Sequence, residues 1–163
     1  MRYSYVESPL GDLLVTRDDD GLTGLCLPTG RYRQRVRDEW ERDDGAFDDV
    51  RRELDEYFAG TLQDFTVPLS PRGSAFQKQV WQALSEIPYG ETTSYGKVAA
   101  SIGHPDGARA VGVANGQNPI PIIVPCHRVI GADGSLTGYG GGLDAKRWLL
   151  DHEARHAGLT LSL

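Results

Sequence analysis

The chain has 163 residues, enough for one domain or two small lobes, and its 39% hydrophobic and 25% charged residues are ordinary for a globular protein. No apolar run approaches the length of a membrane-spanning helix, and the N-terminus lacks a signal-peptide pattern, so we expect a cytoplasmic protein without a membrane partner. The net charge of −6 argues against a general polyanion binder.

The negative charge is unevenly distributed along the chain. Residues 1–73 contain ten Lys and Arg against sixteen Asp and Glu, whereas residues 74–163 contain seven of each. A nucleic-acid partner would therefore have to meet a local patch on the second half. Only Lys78, Lys97 and Lys146 among the 17 basic residues are lysine, a bias that fits either salt adaptation or a GC-rich genome.

The first half predicts a small antiparallel sheet followed by a helix. Residues 3–28 alternate apolar and polar, with breaks at 9–12 and 18–21, which indicates two or three strands joined by tight turns. Residues 31–45 are charged throughout, and the arginines at 31, 33, 35 and 37 form either a basic patch or part of a solvated surface. Helical spacing then predicts a helix that stops at Gly60, with its apolar positions at Val50, Leu54, Tyr57 and Phe58.

The second half, after a boundary near residue 72, begins with helices. Ser74 is the expected N-cap of a helix whose apolar stripe runs to Ile87 and which ends at residues 88–90, PYG. Thr93 or Ser94 caps a shorter helix that stops at Gly103.

A third helix in the second half is expected to begin at once, with Pro105 in its first turn. The two short helices joined by residues 102–107, IGHPDG, have the dimensions of a helix-turn-helix. Paired helices with a glycine turn also occur in plain helical cores. Arg109 is therefore either a solvated charge or, if its helix meets nucleic acid, a residue that reaches the bases.

The chain has two cysteines, which could form at most one disulfide, and it has no CxxC pattern. Cys26 is interpreted as a small buried hydrophobic residue. Cys126 lies in residues 122–131, IIVPCHRVIG, which predict a short β-branched strand or an extended loop. A glycine-rich loop follows, and a closing helix has Leu143, Trp148, Leu149 and His152 near one face.

Cys126 and His127 are an adjacent pair that could carry nucleophilic chemistry, because a thiol needs an activating base near neutral pH. Neighbouring side chains in a strand point to opposite faces, so the pair requires a bend, which Pro125 offers, or a bridging water. A third group should orient the histidine. The residues alone leave three candidates open, Asp151, His152 and Glu153.

The glycine run GYGGG at residues 138–142 also has two interpretations. It is either a flexible connection or a place where backbone N–H groups come close to a flat ligand, with Tyr139 stacked on it or bonded to it.

Four segments together closely resemble the methylated-DNA–protein-cysteine methyltransferases, also called O6-alkylguanine-DNA alkyltransferases. The segments are FQKQVWQALSEIPYGETTSYGKVA, ARAVGVANGQNPIPIIV, PCHRV and GYGGGLDAKRWLLDHE, and the match is dense from Phe76 to Glu153 but looser over the N-terminal part. The resemblance implies an α+β protein. Residues 1–72 would form a ribonuclease-H-like supporting lobe with a small antiparallel sheet and a helix. Residues 73–163 would form a mostly helical DNA-binding and alkyl-acceptor domain with a winged-helix-like helix-turn-helix.

The resemblance also implies roles for single residues. Cys126 matches the alkyl acceptor, His127 the histidine that takes the thiol proton through a water, and Glu153 the carboxylate that orients it. Arg109 matches the arginine that fills the gap left by an extruded base. Tyr95 matches the tyrosine associated with nucleotide flipping and with N3 of the base.

The remaining matches concern the base pocket. Asn118 matches the hinge between the recognition helix and the active-site segment, and Tyr139 lines the pocket in the family. The Val129 carbonyl is a candidate acceptor for the guanine amino group. Gly140 stands where certain relatives carry a serine beside O6, so its backbone N–H is the candidate donor there.

These matches imply DNA repair by direct transfer of an alkyl group from O6-alkylguanine to Cys126 after nucleotide flipping, with O4-alkylthymine as a further candidate substrate. The thioether product resists water, so each molecule acts once. The expected partner is double-stranded DNA, without metal or organic cofactor, and the protein is expected to be a monomer. The rivals are a non-catalytic damage binder of the same fold, a helix-turn-helix regulator and a Cys-His hydrolase.

Overall fold

The computed structural model describes residues 1–29 and 36–161, with side chains up to residue 157. Its N-terminal half holds a four-stranded sheet in the order β3-β2-β1-β4, composed of β1 (Arg2–Val6), β2 (Leu13–Arg17), β3 (Leu22–Cys26) and β4 (Glu41–Arg42). Strands β1, β2 and β3 pair antiparallel, as predicted, whereas the short β4 runs parallel to β1. The arginines at 31, 33 and 35 lie outside the described residues, and Arg37 is exposed.

The turn between β2 and β3 forms because Asp18 caps it. Its Oδ1 accepts the backbone N–H groups of Asp20 and Gly21 at 2.8 and 3.0 Å, an Asx turn of the kind that favours Asp at this position. The central strand β2 is buried over Leu13–Thr16.

Helix α1 (Asp48–Ala59) follows a single 3₁₀ turn and buries one face, as its helical spacing predicted. Gly60 ends α1 in the left-handed conformation, φ +84°, where glycine carries no steric penalty. The side chains of Phe47, Leu54 and Tyr57 are fully buried and join a cluster that continues into the C-terminal half. The division near residue 72 lies in the segment after Gly60 and stays a prediction.

Helix α2 (Ala75–Leu84) begins at Ser74, as predicted, with a reciprocal capping box to Gln77. It ends at Leu84, before the expected end at residues 88–90, and the chain continues in tighter turns, with the Ile87 N–H bonded to the Leu84 carbonyl at 3.1 Å. Ile87 itself precedes Pro88, a position that disfavours the helical conformation. Ile87 is nevertheless buried in the turn that follows.

Helix α3 (Tyr95–Ser101) has Ser94 as its N-cap, and helix α4 (Ala108–Gly116) completes the helix-turn-helix. The placement of Pro105 in the first turn of a helix was wrong. Pro105 is the second residue of a turn that the Gly107 N–H closes onto the His104 carbonyl at 2.8 Å, a position that suits its fixed φ.

The predicted strand before Cys126 is absent, since residues 120–124 form turns and bends and Cys126–Arg128 a 3₁₀ turn. The Asn118 side chain closes this segment, accepting the Ile120 N–H at 3.0 Å and donating to the Val124 carbonyl at 2.8 Å. Ile122 has φ +75°, a costly conformation for a β-branched residue. Only β6 (Val129–Ile130) is extended, and it pairs parallel with β5 (Thr93–Ser94).

Helix α5 (Leu143–Leu161) ends the described chain. Its inner face buries Leu149, His152 and Glu153, whereas Leu143, expected on that face, is 48% exposed. Among the described residues, no helix is both long enough and apolar enough to span a bilayer.

Candidate active site

The Cys126 thiol lies at a cavity of about 310 Å³ between the two halves of the chain. Cys126 itself is 4% exposed, because the turn that begins with it directs the side chain inward. Cavity walls come from the end of β3, from the segment after α4 and from the glycine loop. Lining residues include Leu25, Cys26, Leu27, Asn118, Pro121 and Tyr139.

His127 is fully buried, and its Nε2 lies 2.7 Å from Oε2 of Glu153. Burial and the nearby positive charges outweigh the attraction of Glu153, so the pKa of His127 is lowered from its ordinary value and the ring is neutral near pH 7. Since an ionised carboxylate only accepts hydrogen bonds, Nε2 carries the proton. Nδ1 therefore carries the lone pair, and it is buried without a hydrogen-bond partner in the described part of the chain.

Glu153 is ionised because donors surround it. Burial opposes its ionisation, but the hydrogen bond from His127 and the charge-assisted bonds from Arg128 hold the pKa of Glu153 far below its ordinary value. Arg128 donates from Nε to Oε1 at 2.8 Å and from Nη2 to Oε2 at 3.0 Å, a bidentate pair. Nη1 of Arg128 donates to the Ile87 carbonyl at 2.6 Å, which fixes the guanidinium.

The thiol of Cys126 is protonated at rest. Burial raises the pKa of Cys126 to about 11, although a hydrogen bond from Asn118 and the charge of Lys146 act in the opposite direction. Because the thiolate is the nucleophile, the site must remove this proton during the reaction.

Lys146 is a fully buried lysine on α5 beside the active site. Its Nζ donates to the Val129 carbonyl at 2.7 Å and to the Thr137 carbonyl at 3.3 Å. The Val129 carbonyl, the candidate acceptor for a guanine amino group, thus already accepts one hydrogen bond and has its second lone pair left.

The glycine loop packs closely against the N-terminal half. A side chain on Gly141 would place its Cβ 2.8 Å from the Tyr139 ring and 3.1 Å from Leu27. The Gly141 carbonyl accepts the Thr29 hydroxyl at 3.0 Å. Tyr139 and Gly140 both line the cavity, and the buried Tyr139 hydroxyl has no hydrogen-bond partner among the described residues.

Two residues expected at the DNA lie outside the cavity wall. Arg109 is exposed on the first turn of α4. Tyr95 begins α3, its ring lies near Gly112 of α4, and its hydroxyl is 2.5 Å from Oγ1 of Thr137. Both residues belong to the helix-turn-helix, and the Tyr95 hydroxyl reaches Thr137, which directly precedes the glycine loop of the cavity wall.

The structure adds three side chains that the sequence did not single out, Tyr57, Arg128 and Lys146. Lys146 and Glu153 are seven residues apart on α5, a helical spacing that could have revealed the shared face. Arg128 was visible inside the PCHR segment. No local signal points to Tyr57, whose hydroxyl donates to Glu153 Oε2 at 2.6 Å across 96 residues of sequence.

No group of three or more His, Cys, Asp or Glu among the described residues could hold a metal ion. Cys26 is half-buried at the end of β3 rather than fully buried, and it lines the same cavity as Cys126.

Two family models match the chain. The model of the 6-O-methylguanine DNA methyltransferase DNA-binding domain matches residues 75–155, and that of the 6-O-methylguanine DNA methyltransferase ribonuclease-like domain matches residues 1–71. Curated proteins named methylated-DNA–protein-cysteine methyltransferase are similar over nearly their whole length. The protein of Methanosarcina acetivorans is 52% identical over 94% of this chain and 98% of its own. The protein of Mycolicibacterium paratuberculosis is 52% identical over 100% of this chain and 98% of its own.

Solved structures are also similar to this chain. The crystal structure of Mycobacterium tuberculosis OGT in complex with DNA is 51% identical, with a TM-score of 0.89 over 96% of this chain and 94% of that one. The crystal structure of Mycobacterium tuberculosis O6-methylguanine methyltransferase is 50% identical, with a TM-score of 0.87 over 99% of both chains. The predicted α+β class, with a small N-terminal sheet and a helical C-terminal part, is confirmed.

Proposed function

Because this chain belongs to the methylated-DNA–protein-cysteine methyltransferase family, we propose that Cys126 is the residue that accepts the alkyl group from O6-alkylguanine in DNA. The family's activity, repair of DNA by alkyl transfer to a cysteine of the protein itself, is that of this chain. The observation that carries the assignment is the cavity at Cys126, with the hydrogen-bonded His127 and Glu153 next to it in the fold.

In the proposed reaction, a flipped base enters the cavity and presents its alkyl carbon to the sulfur. The thiol proton passes through a water to Nδ1 of His127, the S–C bond forms and the C–O6 bond breaks. The departing guanine gains negative charge, which hydrogen-bond donors stabilise. Tyr95 toward N3 and the Gly140 N–H toward O6 are the proposed donors. The second lone pair of the Val129 carbonyl is available to the guanine amino group.

His127 can act as the general base because Glu153 sets its tautomer. A proton held on Nε2 leaves Nδ1 as the acceptor, and Arg128 keeps Glu153 ionised while that proton is shared. The thioether product has no route back to the thiol in water, so each molecule reacts once.

The helix-turn-helix supplies the proposed DNA contacts. Arg109 at the start of α4 is exposed and free to enter the duplex where the base has left. Asn118, whose side chain ties residues 120 and 124 together after α4, is the proposed hinge between this helix and the Cys126 turn. We expect a monomer in the cytoplasm acting on double-stranded DNA, with O4-alkylthymine as a candidate second substrate.

Mass spectrometry after mixing with an O6-methylguanine oligonucleotide tests the acceptor. The expected result is a gain of one methyl group per protein molecule, mapped to Cys126 and absent in Cys126→Ala. An unmodified Cys126 in folded protein would refute the proposal. Repeated turnover of esters or amides would support a Cys-His hydrolase instead, and DNA binding without methyl transfer would support a damage binder or a regulator.

The proposed role of Arg109 is tested by comparing duplex DNA with free O6-benzylguanine. Arg109→Ala should slow repair of duplex DNA while the reaction with the free base stays near the wild-type rate, since no duplex gap has to be filled. Arg155→Ala removes another exposed arginine, on α5, and serves as the control for lost charge. Equal losses on both substrates would reject this role.

A further inference from the structure

Tyr57 connects the N-terminal half to the catalytic helix through two hydrogen bonds. Its hydroxyl donates to Glu153 Oε2 at 2.6 Å, and its backbone carbonyl accepts from Nε2 of His152 at 2.7 Å. Tyr57 lies in the last turn of α1, where its carbonyl accepts the Gly60 N–H of the helix cap at 3.0 Å and uses its second lone pair for His152. One residue of α1 thereby holds two consecutive residues of α5.

The side chain of Tyr57 has no freedom to leave this position. It is fully buried, and the rings of Phe58, Phe65 and Tyr89 lie 5.2, 5.4 and 6.3 Å from its own ring. Burial and the charge of Glu153 raise the pKa of Tyr57 well above its ordinary value, so the hydroxyl keeps its proton and remains a donor.

Among the described residues, four donors bond the carboxylate of Glu153, and its two oxygens share them unevenly. Oε1 accepts Arg128 Nε, whereas Oε2 accepts Arg128 Nη2, His127 Nε2 and the Tyr57 hydroxyl. Three donors at one oxygen fix its position in space. They also divide its negative charge, which limits how strongly it attracts a second proton onto the His127 ring.

We propose that Tyr57 is a positioning residue for alkyl transfer: its hydroxyl holds Glu153 Oε2 so that the His127 ring keeps a bare Nδ1 toward the active site. The proposal rests on the proposed roles of His127 and Glu153. It gives the N-terminal half a part in the chemistry, because the donor comes from α1 rather than from the segments that carry Cys126 and His127.

Tyr57→Phe is the direct test, because it removes the hydroxyl and keeps the ring. We expect the rate of Cys126 alkylation by free O6-benzylguanine to fall about tenfold, the lower end of the loss seen when the hydrogen-bond partner of a metal-ligating side chain is removed, because the His127 ring is then less firmly positioned. The final extent should remain one alkyl group per molecule, and affinity for undamaged duplex should not change. Tyr89→Phe is the matched control, since its buried hydroxyl has no hydrogen-bond partner among the described residues.

A second measurement separates positioning from a merely structural role. The charged groups that act on His127 are Glu153 and Lys146 of α5 and Arg128 of its own turn, and Tyr57 of α1 lies behind Glu153. With one donor fewer, Oε2 attracts the imidazolium form more strongly. The titration midpoint of His127, followed by imidazole nitrogen NMR, should therefore rise in Tyr57→Phe and stay unchanged in Tyr89→Phe.

A graded variant covers the case in which Tyr57→Phe fails to fold. Incorporation of 3-fluorotyrosine at position 57 keeps the hydroxyl and makes it a stronger donor, so the His127 midpoint should fall below the wild-type value. A wild-type rate and midpoint in folded Tyr57→Phe, or an unmoved midpoint with fluorotyrosine, would overturn the proposal. If Glu153→Gln also reacts at the wild-type rate, the proposed role of Glu153 is refuted. If Glu153→Gln is slow but Tyr57→Phe reacts at the wild-type rate, only the proposed role of Tyr57 is refuted.

Discussion

His127 donates a hydrogen bond to Glu153 and is the proposed acceptor of the thiol proton. Replacing it with glutamine should remove the second of these functions and keep the first. The glutamine amide can still donate to Glu153 Oε2, which His127 contacts at 2.7 Å, so the pairing of Glu153 with Arg128 is preserved. The amide oxygen of the variant can accept a hydrogen bond, but it is far too weak a base to take the thiol proton, so the proposed proton acceptor is lost.

The expected loss of rate follows from the pKa of the Cys126 thiol. Burial raises the pKa of Cys126 to about 11. A thiol with that pKa is only roughly 0.03% thiolate at pH 7.5. Without a base, the reaction has to draw on this small fraction, so the rate should fall by about 10³-fold, within the range typical of general-base assistance.

The assay is the rate of Cys126 alkylation by free O6-benzylguanine between pH 6 and pH 10. The wild-type rate should reach a plateau above the pKa of His127, whereas the His127→Gln rate should rise about tenfold per pH unit as the thiolate fraction grows. Cys126→Ala should show no reaction at any pH. A His127→Gln rate within a few-fold of wild type at pH 7.5, or a flat profile, would refute the reasoning.

Three further predictions concern the scaffold. Ser74→Ala should lower the free energy of unfolding by about 1 kcal/mol in urea titrations, since the capping box of α2 is lost, and an unchanged midpoint would contradict it. Gly141→Ala should slow alkylation by O6-benzylguanine, because its Cβ meets the Tyr139 ring at 2.8 Å, whereas Gly96→Ala, with no atom within 4 Å of its Cβ, should react normally. Burial lowers the pKa of His127 and of His152, so the unfolded state binds protons first as the pH falls below about 6.5. Urea titrations should then show stability falling by up to about 1.4 kcal/mol per pH unit for each histidine, and constant stability from pH 7 to pH 5 would reject this burial effect.

Local signals in the sequence were sufficient for several helix ends. Ser74 and Ser94 cap α2 and α3, and Gly60 ends α1, because hydrogen bonds and conformations within a few residues decide such positions. The stretch before Cys126 was misjudged as a strand or an extended loop. Its β-branched residues favour extension, but the Asn118 side chain binds both ends of a turn, and the backbone at Ile122 accepts an unfavourable φ.

The sequence by itself determined the family, the α+β class and the cysteine-histidine pair, since these depend on residue types and spacings along the chain. Tertiary structure decided what surrounds that pair. It placed Glu153, the partner that the family resemblance implied, 2.7 Å from His127, brought Tyr57 to the same carboxylate from 96 residues away, and placed the end of β3 against the cavity. Such contacts join side chains that only packing of the two halves brings together, so no local pattern encodes them.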